Sequence, residues 1–246
     1  MPGSEEPSST SPYAARWWQA SALFLAVVLV TGAVVVFTSD SDPQEPAAAG
    51  PTASASGSGT PSPTATGDCP DLPTSTDIPR TAPEAEWGLV STVAVPTSKT
   101  AGPAVVEGDL ARCFAHSPTG ALFAAAQIGT RYPFTKDWEK VVEQQTYGDG
   151  KQLLLDKRRA YEATAEPIAP VPGELGQFAG FQFVTYTPQT AVLQMVSRFE
   201  AGTMQVSTVT MQWDDGEGDW LYEIPSVTPP QKTVENLDGY VVWGGL

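Results

Sequence analysis

The hydrophobic pattern opens with one long apolar run near the N-terminus. Residues 20–37 form 18 consecutive positions without a charge, and a helix of that length just spans a hydrocarbon core of about 30 Å. Arg16 and a pair of tryptophans flank the run on its N-terminal side, and no Lys or Arg follows before Arg80. This charge asymmetry predicts a single-pass cell-membrane protein with a cytoplasmic tail over 1–19, a transmembrane helix over 20–37, and the rest of the chain outside the cytoplasm.

The alternative interpretation of the apolar run is a cleaved signal peptide. Such a peptide has an apolar region of about 7–15 residues with a small-residue cleavage site close behind it. Here the run is longer, and the nearest Ala-x-Ala, Ala47–Ala49, lies well past Phe37 and beyond two prolines. The pattern therefore favours an uncleaved anchor.

A low-complexity segment separates the apolar run from the rest of the chain. Residues 38–83 consist mainly of Ser, Thr, Pro, Ala, Gly and Asp, with too few large apolar residues to offset the entropy of ordering. They predict a disordered linker. The remaining residues, 84–246, contain most of the aromatic residues and are numerous enough for one extracytoplasmic domain with a core.

Within this domain the periodicity predicts helices first and strands afterwards. Ser117 followed by Pro118 is typical of a helix start, and apolar residues recur at helical spacing through Thr135–Thr146 and Lys151–Thr164. Alternating runs then predict antiparallel strands joined by short turns. The predicted strands, including a first one ahead of the helices, are 87–95, 178–187, 191–199, 203–213, 220–224 and 240–243.

This order of elements predicts an α+β fold. The helices are expected to pack on a curved antiparallel sheet of four to five strands. The order resembles that of the cone-shaped NTF2-like, or cystatin-like, domains. Some NTF2-like domains use their cavity for catalysis, but a fold alone does not establish an activity.

The negative charge of the chain argues against polyanions as direct partners. The part that follows the apolar run has 26 acidic and 12 basic residues, a formal charge of −14. Nucleic acids and anionic lipid headgroups are bound by concentrated Lys and Arg. Neither is therefore expected as a direct partner.

The two cysteines lie on the predicted outer side of the membrane. An even pair in an oxidising compartment predicts one disulfide, Cys69–Cys113. The alternative is a nucleophile or metal site built from Cys113 and His116. His116 is the only histidine, and zinc needs three or four ligands while a catalytic Cys needs a base with an orienting partner.

A run of carboxylates over Asp214–Asp219 is the other candidate for chemistry. Calcium prefers such oxygen ligands, but the spacing does not match the twelve-residue calcium loop, and a charged hairpin turn explains the run. No pair of acidic residues stands in an apolar setting that favours general acid–base catalysis. The sequence predicts no catalytic, cofactor-binding or metal-binding residues, and therefore no enzyme.

Four segments of the domain carry a resemblance to a known family: GPAVVEGDLARCFAHSPTGALFAAAQIGTR, TPQTAVLQMV, DDGEGDWLYEIP and LDGYVVWGG. Together they resemble a family of actinobacterial single-pass membrane proteins found with integrative conjugative elements. The resemblance covers about residues 87–246, and its strongest signature is Cys-Phe-Ala-His-Ser-Pro-Thr-Gly-Ala at 113–121. The overall plan is similar to the VirB8-like and TcpC-like scaffolds of conjugation channels.

The resemblance implies a membrane-anchored extracytoplasmic scaffold, as a component of a conjugation or secretion channel. Its partners would be proteins of a membrane complex, further copies of the chain included. The plan is equally similar to Mce-associated membrane proteins, which implies an accessory protein of a lipid importer as an alternative. A ligand-binding module is a further alternative, and an NTF2-like enzyme is the last.

The C-terminal run is the candidate contact surface of such a scaffold. Tyr240, Val241, Val242 and Trp243 are expected to form a terminal edge strand, and an edge strand can pair with another chain. The alternative is that these four residues only cover the core.

Overall fold

The computed structural model describes residues 69–165, 171 and 173–245. The predicted cytoplasmic tail, the predicted transmembrane helix and the linker up to residue 68 lie outside the described residues. Among the helices that are described, none is both long enough and apolar enough to cross a membrane. Residues 69–85 contain neither helix nor strand and lead into the first strand.

Four short strands precede the three helices, a two-residue strand lies between the second helix and the third, and six strands follow. The helices are α1 Pro118–Phe134, α2 Trp138–Gln145 and α3 Lys151–Glu162. The strands of the described residues are β1 Glu86–Val90, β2 Val93–Thr97, β3 Val105–Glu107, β4 Leu110–Arg112, β5 Thr146–Tyr147, β6 Gln177–Tyr186, β7 Thr190–Arg198, β8 Met204–Asp214, β9 Asp219–Glu223, β10 Lys232–Val234 and β11 Val241–Val242.

Seven of these strands form one mixed sheet. Its order is β11-β6-β7-β8-β9-β5, and β10 pairs with β8 beyond the end of β9. The β5–β9 pair is parallel, whereas the other pairs are antiparallel. The strands β1 and β2 form a separate hairpin, and so do β3 and β4.

The predicted fold class is wrong. Two hairpins come before the helices, and the main sheet has seven strands of mixed direction instead of four to five antiparallel ones. The run from Trp87 to Val95 was expected to be one strand, but Ser91 adopts a φ of 54°, so that Val90 pairs with Val93 across a two-residue turn. With two hairpins ahead of the helices, the order of elements no longer matches that of NTF2-like domains.

Individual elements follow their sequence signals closely. The Ser117 hydroxyl accepts the backbone N–H of Gly120 (3.0 Å) and caps α1, with Pro118 at the first helical position. On α2 the buried residues are the four that recur at helical spacing: Trp138, Val141, Val142 and Gln145. The strands β6 to β9 begin and end within about one residue of the predicted runs.

The main core lies between α1 and one face of the seven-stranded sheet. Leu122, Phe123 and Ile128 of α1 are fully buried against large side chains of the strands, Phe181 and Trp220 among them. Small residues let the helix lie close to the sheet: a Cβ atom added to Gly129 would stand 3.1 Å from the Tyr222 ring. The segment around β10 covers part of the opposite face, where Val234 and Leu237 pack against a small cluster of buried residues that includes Val196.

Candidate functional site

The disulfide predicted from the sequence is confirmed. Cys69 and Cys113 are bonded, with their Cα atoms 5.3 Å apart and a separation of 44 positions in sequence. Cys69 is the first described residue, and Cys113 is buried in the segment between β4 and α1. The bond therefore fastens the end of the predicted linker to the core, and it uses the thiol that a nucleophile or metal site would need.

The signature segment 113–121 is held by contacts with distant strands. The carbonyl of Ala115 accepts the indole N–H of the buried Trp220 (2.9 Å). His116 donates from Nε2 to the carbonyl of Pro188 (2.7 Å) and stacks on Trp213, with ring centroids 3.9 Å apart. A Cβ atom at Gly120 would overlap the Ala115 carbonyl at 1.9 Å, so only glycine fits there.

Asp219 is the buried acid that joins this segment to the sheet. Its Oδ2 accepts the backbone N–H of Cys113 (2.7 Å), and its Oδ1 accepts those of Phe114 (3.0 Å) and Trp220 (2.9 Å). Burial raises the pKa of Asp219 to about 6, and the three N–H donors and the nearby Arg112 oppose that rise. The carboxylate thus stabilises the loop that begins at the disulfide.

Lys151 serves a similar structural purpose at the end of α2. Its ammonium group donates to the carbonyls of Glu143 (2.8 Å) and Thr146 (2.8 Å). The last carbonyls of a helix have no partner within the helix, and a lysine can supply one. Burial lowers the pKa of Lys151, and the Glu143 carboxylate opposes that effect.

These groups meet at a cleft of about 520 Å³, here called the acidic cleft. It opens between α2, the start of α3 and the β8–β9 hairpin. Its lining residues are Cys69, Arg112, Glu143, Gln144, Gln145, Thr146, Lys151, Asp214, Glu217, Asp219, Trp220 and Leu221.

Two buried polar atoms that lack hydrogen-bond partners belong to residues of this lining. Gln145 is 3% exposed, its amide nitrogen donates to the carbonyl of Ala111, and its Oε1 has no partner among the described residues. The Nε of Arg112 is likewise buried and unpaired within the described part, although its Nη2 pairs with Glu107 (2.9 Å). Buried polar groups are normally hydrogen-bonded, but both of these atoms are closed off from solvent, so neither faces the open space of the cleft.

The carboxylate run is a hairpin turn, as expected. Asp214 pairs with Asp219 across the β8–β9 ladder, and the Oδ1 of Asp214 accepts the N–H groups of Gly216 and Glu217. Within the described residues, no group of three or more His, Cys, Asp or Glu side chains is placed to hold a metal ion.

One comparison with known proteins identifies a family. The model of the domain of unknown function DUF8175 matches residues 49–242. The chain belongs to this family. Searches of curated proteins and of solved structures gave no match.

In this DUF8175 chain the candidate edge 240–243 is divided between core and surface. Val241 and Val242 pair with β6 as the outermost strand of the sheet. Trp243 is 3% exposed and packs on Phe123 and Phe181, whereas Val242 is 65% exposed. The hydroxyl of Tyr240 donates to Gln194 (3.0 Å). Val242 is therefore the residue of this run that is exposed enough to contact a partner protein, and that contact stays a prediction.

Sequence reasoning missed the residues that form the cleft. Asp219 was included in a solvated turn, although it is followed by the alternating run that begins at Trp220. Gln145 carried a clearer signal, because it is a polar residue on the buried face predicted for α2. Lys151 carried none, since its partners are backbone carbonyls.

Proposed function

We propose that this DUF8175 protein is a membrane-anchored extracytoplasmic scaffold that acts by protein–protein contact, in a conjugation or secretion channel. The observation that carries the proposal is the Cys69–Cys113 disulfide. Disulfides persist in oxidising compartments, which agrees with the charge asymmetry around the apolar run over 20–37. The position of the bond also suits a tethered domain, because it attaches the chain to the domain at residue 69, within the predicted linker.

The use of the signature residues supports a scaffold over a catalyst. Cys113 is in a disulfide, Ser117 caps a helix, and His116 donates to a backbone carbonyl. Asp219 already accepts three backbone N–H groups. The polar groups that a reaction would require are engaged in holding the fold, and this leaves surface contact as the mode of action we favour.

The location is tested by labelling single introduced cysteines in intact cells. Ser226 is exposed on the domain, and Ser4 lies in the predicted cytoplasmic tail. An impermeant maleimide should label S226C in intact cells and label S4C only after lysis. Labelling of S4C but not of S226C in intact cells would reverse the topology and contradict the proposal.

The scaffold role is tested by co-purification after cross-linking in the native host. Val242 is exposed on the outermost strand of the main sheet, and Val106, 52% exposed on β3, is a matched control on a separate hairpin. Channel subunits and a coupling ATPase should be recovered with the wild type and V106K, and lost with V242K. Recovery of a permease and its substrate-binding protein would favour the lipid importer instead. Equal recovery with all three chains would show that the edge makes no contact.

Ligand binding is a second candidate function, favoured by the acidic cleft. The specific observation is a cleft of about 520 Å³ that is lined by charged and polar side chains. Clefts of roughly 300–1,000 Å³ are typical of small-ligand sites.

A further inference from the structure

One stretch of the strand β8 has a neighbouring strand on one side only. Towards β7 its pairs run without a register shift. On the other side the pairs with β10 end at Val206, and the pairs with β9 begin at Met211. The four residues between them, 207–210, have no strand partner on that side among the described residues. This interruption of the sheet is here called the strand gap.

Contacts on the far side of β9 open the strand gap. The N–H of Ile224 donates to the carbonyl of Tyr147 (2.7 Å), and the carbonyl of Ile224 accepts the N–H of Gly150 (2.9 Å). These bonds hold the chain towards β5 once it has passed Glu223, the last residue of β9. Three of the residues 225–231, which lead on to β10, are prolines without a backbone N–H to offer β8. The strand gap is therefore built into the packing and the sequence.

The backbone of Thr208 faces the strand gap. Neighbouring residues of an antiparallel strand direct their N–H and C=O groups to opposite sides. The N–H of Trp213 donates to Gln189, the residue before β7 (2.9 Å). Thr208 lies five positions from Trp213, so its groups point the other way. The Thr208 N–H and C=O have no backbone partner among the described residues, and the residue is exposed.

A pocket of about 280 Å³ lies along the strand gap. Tyr132 of α1 and Tyr222 of β9 line it, with their ring centroids 5.5 Å apart. Burial raises the pKa of both tyrosines, so that their hydroxyls stay neutral. Among the described residues that line the pocket, Glu223 alone is charged at neutral pH. The lining therefore suits an uncharged ligand.

We propose that the strand gap binds an uncharged, extended peptide segment of a partner protein, which joins the sheet beside β8. This inference rests on the scaffold proposal and adds a contact surface separate from Val242. A peptide residue opposite Thr208 accepts its N–H and donates to its C=O, as a neighbouring antiparallel strand does. The strand gap is about 14 Å long at about 3.4 Å per residue, which fits about four residues of peptide.

The charge of the chain favours a different protein over a second copy as the occupant. The part of the chain after residue 37 has a formal charge of −14, so two copies repel each other. An uncharged segment of another protein does not meet this repulsion in the pocket.

Hydrogen exchange at residue resolution and calorimetric titration of the full chain in detergent at pH 6.5 test the proposal. The probe is the blocked peptide acetyl-Thr-Val-Thr-Val-amide. Its matched control is the same peptide with all four residue nitrogens methylated, which keeps the side chains and removes these N–H donors. The probe should bind and slow the exchange of the Thr208 amide at least tenfold. The methylated peptide should do neither.

Three variants test whether the backbone of Thr208 makes the contact. T208P removes the N–H that faces the strand gap without removing a bond to β7, and it should weaken binding at least tenfold. T208V keeps that N–H and should leave the affinity unchanged. T233P is the proline control, because Thr233 of β10 alternates with two residues that face β8 and directs its N–H away from the sheet. It should bind the probe like the wild type.

Each outcome supports or overturns the proposal. No binding of the probe at millimolar concentration overturns it, and so does equal binding of the methylated peptide, which decides the matter if T208P does not fold. Protection of the Thr208 amide in the free chain that is lost on dilution would identify a second copy as the occupant, and protection at every dilution would show a closed gap; both overturn it. Co-purification is read separately, so failure of the probe leaves the scaffold proposal standing.

Discussion

At the scale of single residues, Asp219 is a buried carboxylate that accepts three backbone hydrogen bonds. A carboxylate inside a protein is costly unless hydrogen bonds replace its water. Here three backbone N–H groups do so, and two of them come from Cys113 and Phe114, more than a hundred positions away. The acid therefore connects β9 to the loop that precedes α1.

Replacing this acid by its amide keeps the shape of the side chain and removes one acceptor. In D219N the amide nitrogen would face the N–H of Cys113 or that of Phe114, and one buried donor would lose its acceptor. We expect a loss of about 1–3 kcal/mol in the free energy of unfolding, because a buried donor that is left without an acceptor costs about that much. Urea denaturation at pH 7.5 measures it. D215N should change stability by less than about 0.5 kcal/mol, and an equally small loss in D219N would contradict the role assigned to Asp219.

The raised pKa of Asp219 also predicts how stability changes with pH. The folded state binds this proton up to about pH 6, whereas the unfolded chain releases it near pH 4. Between these values the folded state holds more protons, so stability is highest below pH 4 and falls as the pH rises towards 6. A shift of about two units corresponds to up to about 3 kcal/mol. The difference in unfolding free energy between wild type and D219N should show this slope; a difference that is flat over pH 4–6 would contradict it.

At the scale of elements, the two-residue edge strand β11 depends on the side chain that follows it, Trp243. Trp243 packs on Phe123 of α1 and on Phe181 of β6, and Val242 beside it points to solvent. W243A should cost about 3–5 kcal/mol, as usual for removal of a buried Trp, and V242A should cost less than about 0.5 kcal/mol. Thermal or urea unfolding of the two variants decides the matter. Equal stability of both variants would show that the Trp243 side chain does not hold β11 to the core.

Elements with a periodic pattern could be predicted, and elements made by special backbone or distant pairing could not. The cap at Ser117, the buried face of α2 and the alternating strands β6 to β9 all follow local rules. The split of β1 from β2 depends on the positive φ of Ser91, which no apolar pattern reveals. The two residues of β5 are too few to show any period.

The same limit applied to the candidate site. Cysteine count alone predicted the disulfide, because only one pairing was available. The partners of Asp219 lie more than a hundred positions from it, and Gln145 reaches Ala111 across 34 positions. Local sequence patterns depend on neighbouring positions and do not indicate contacts between distant ones. The cleft could therefore be recognised only from the folded chain.

At the scale of the whole molecule, three distant pieces of the chain meet at one point. The disulfide brings Cys69 to Cys113, and Asp219 binds the backbone of Cys113 and Phe114. The end of the linker, the entry to α1 and the strand β9 are therefore joined through two neighbouring residues. Residues 69–85, which contain no helix or strand, are attached to the domain at this point by a covalent bond.

Removing the disulfide tests how far the domain depends on this junction. The bond closes a loop of 44 positions, and the loss of loop entropy in the unfolded chain predicts a contribution of about 4 kcal/mol to stability. The double variant C69S/C113S should lose up to that amount in urea denaturation, and a reducing agent should destabilise the wild type to the same degree while leaving the variant unchanged.

Adding D219N to the C69S/C113S variant tests whether the disulfide and the Asp219 hydrogen bonds hold the loop together or independently. Because both act on the same loop, their effects should not be additive. Strict additivity would show that the disulfide and Asp219 hold the loop independently, and it would contradict a single junction.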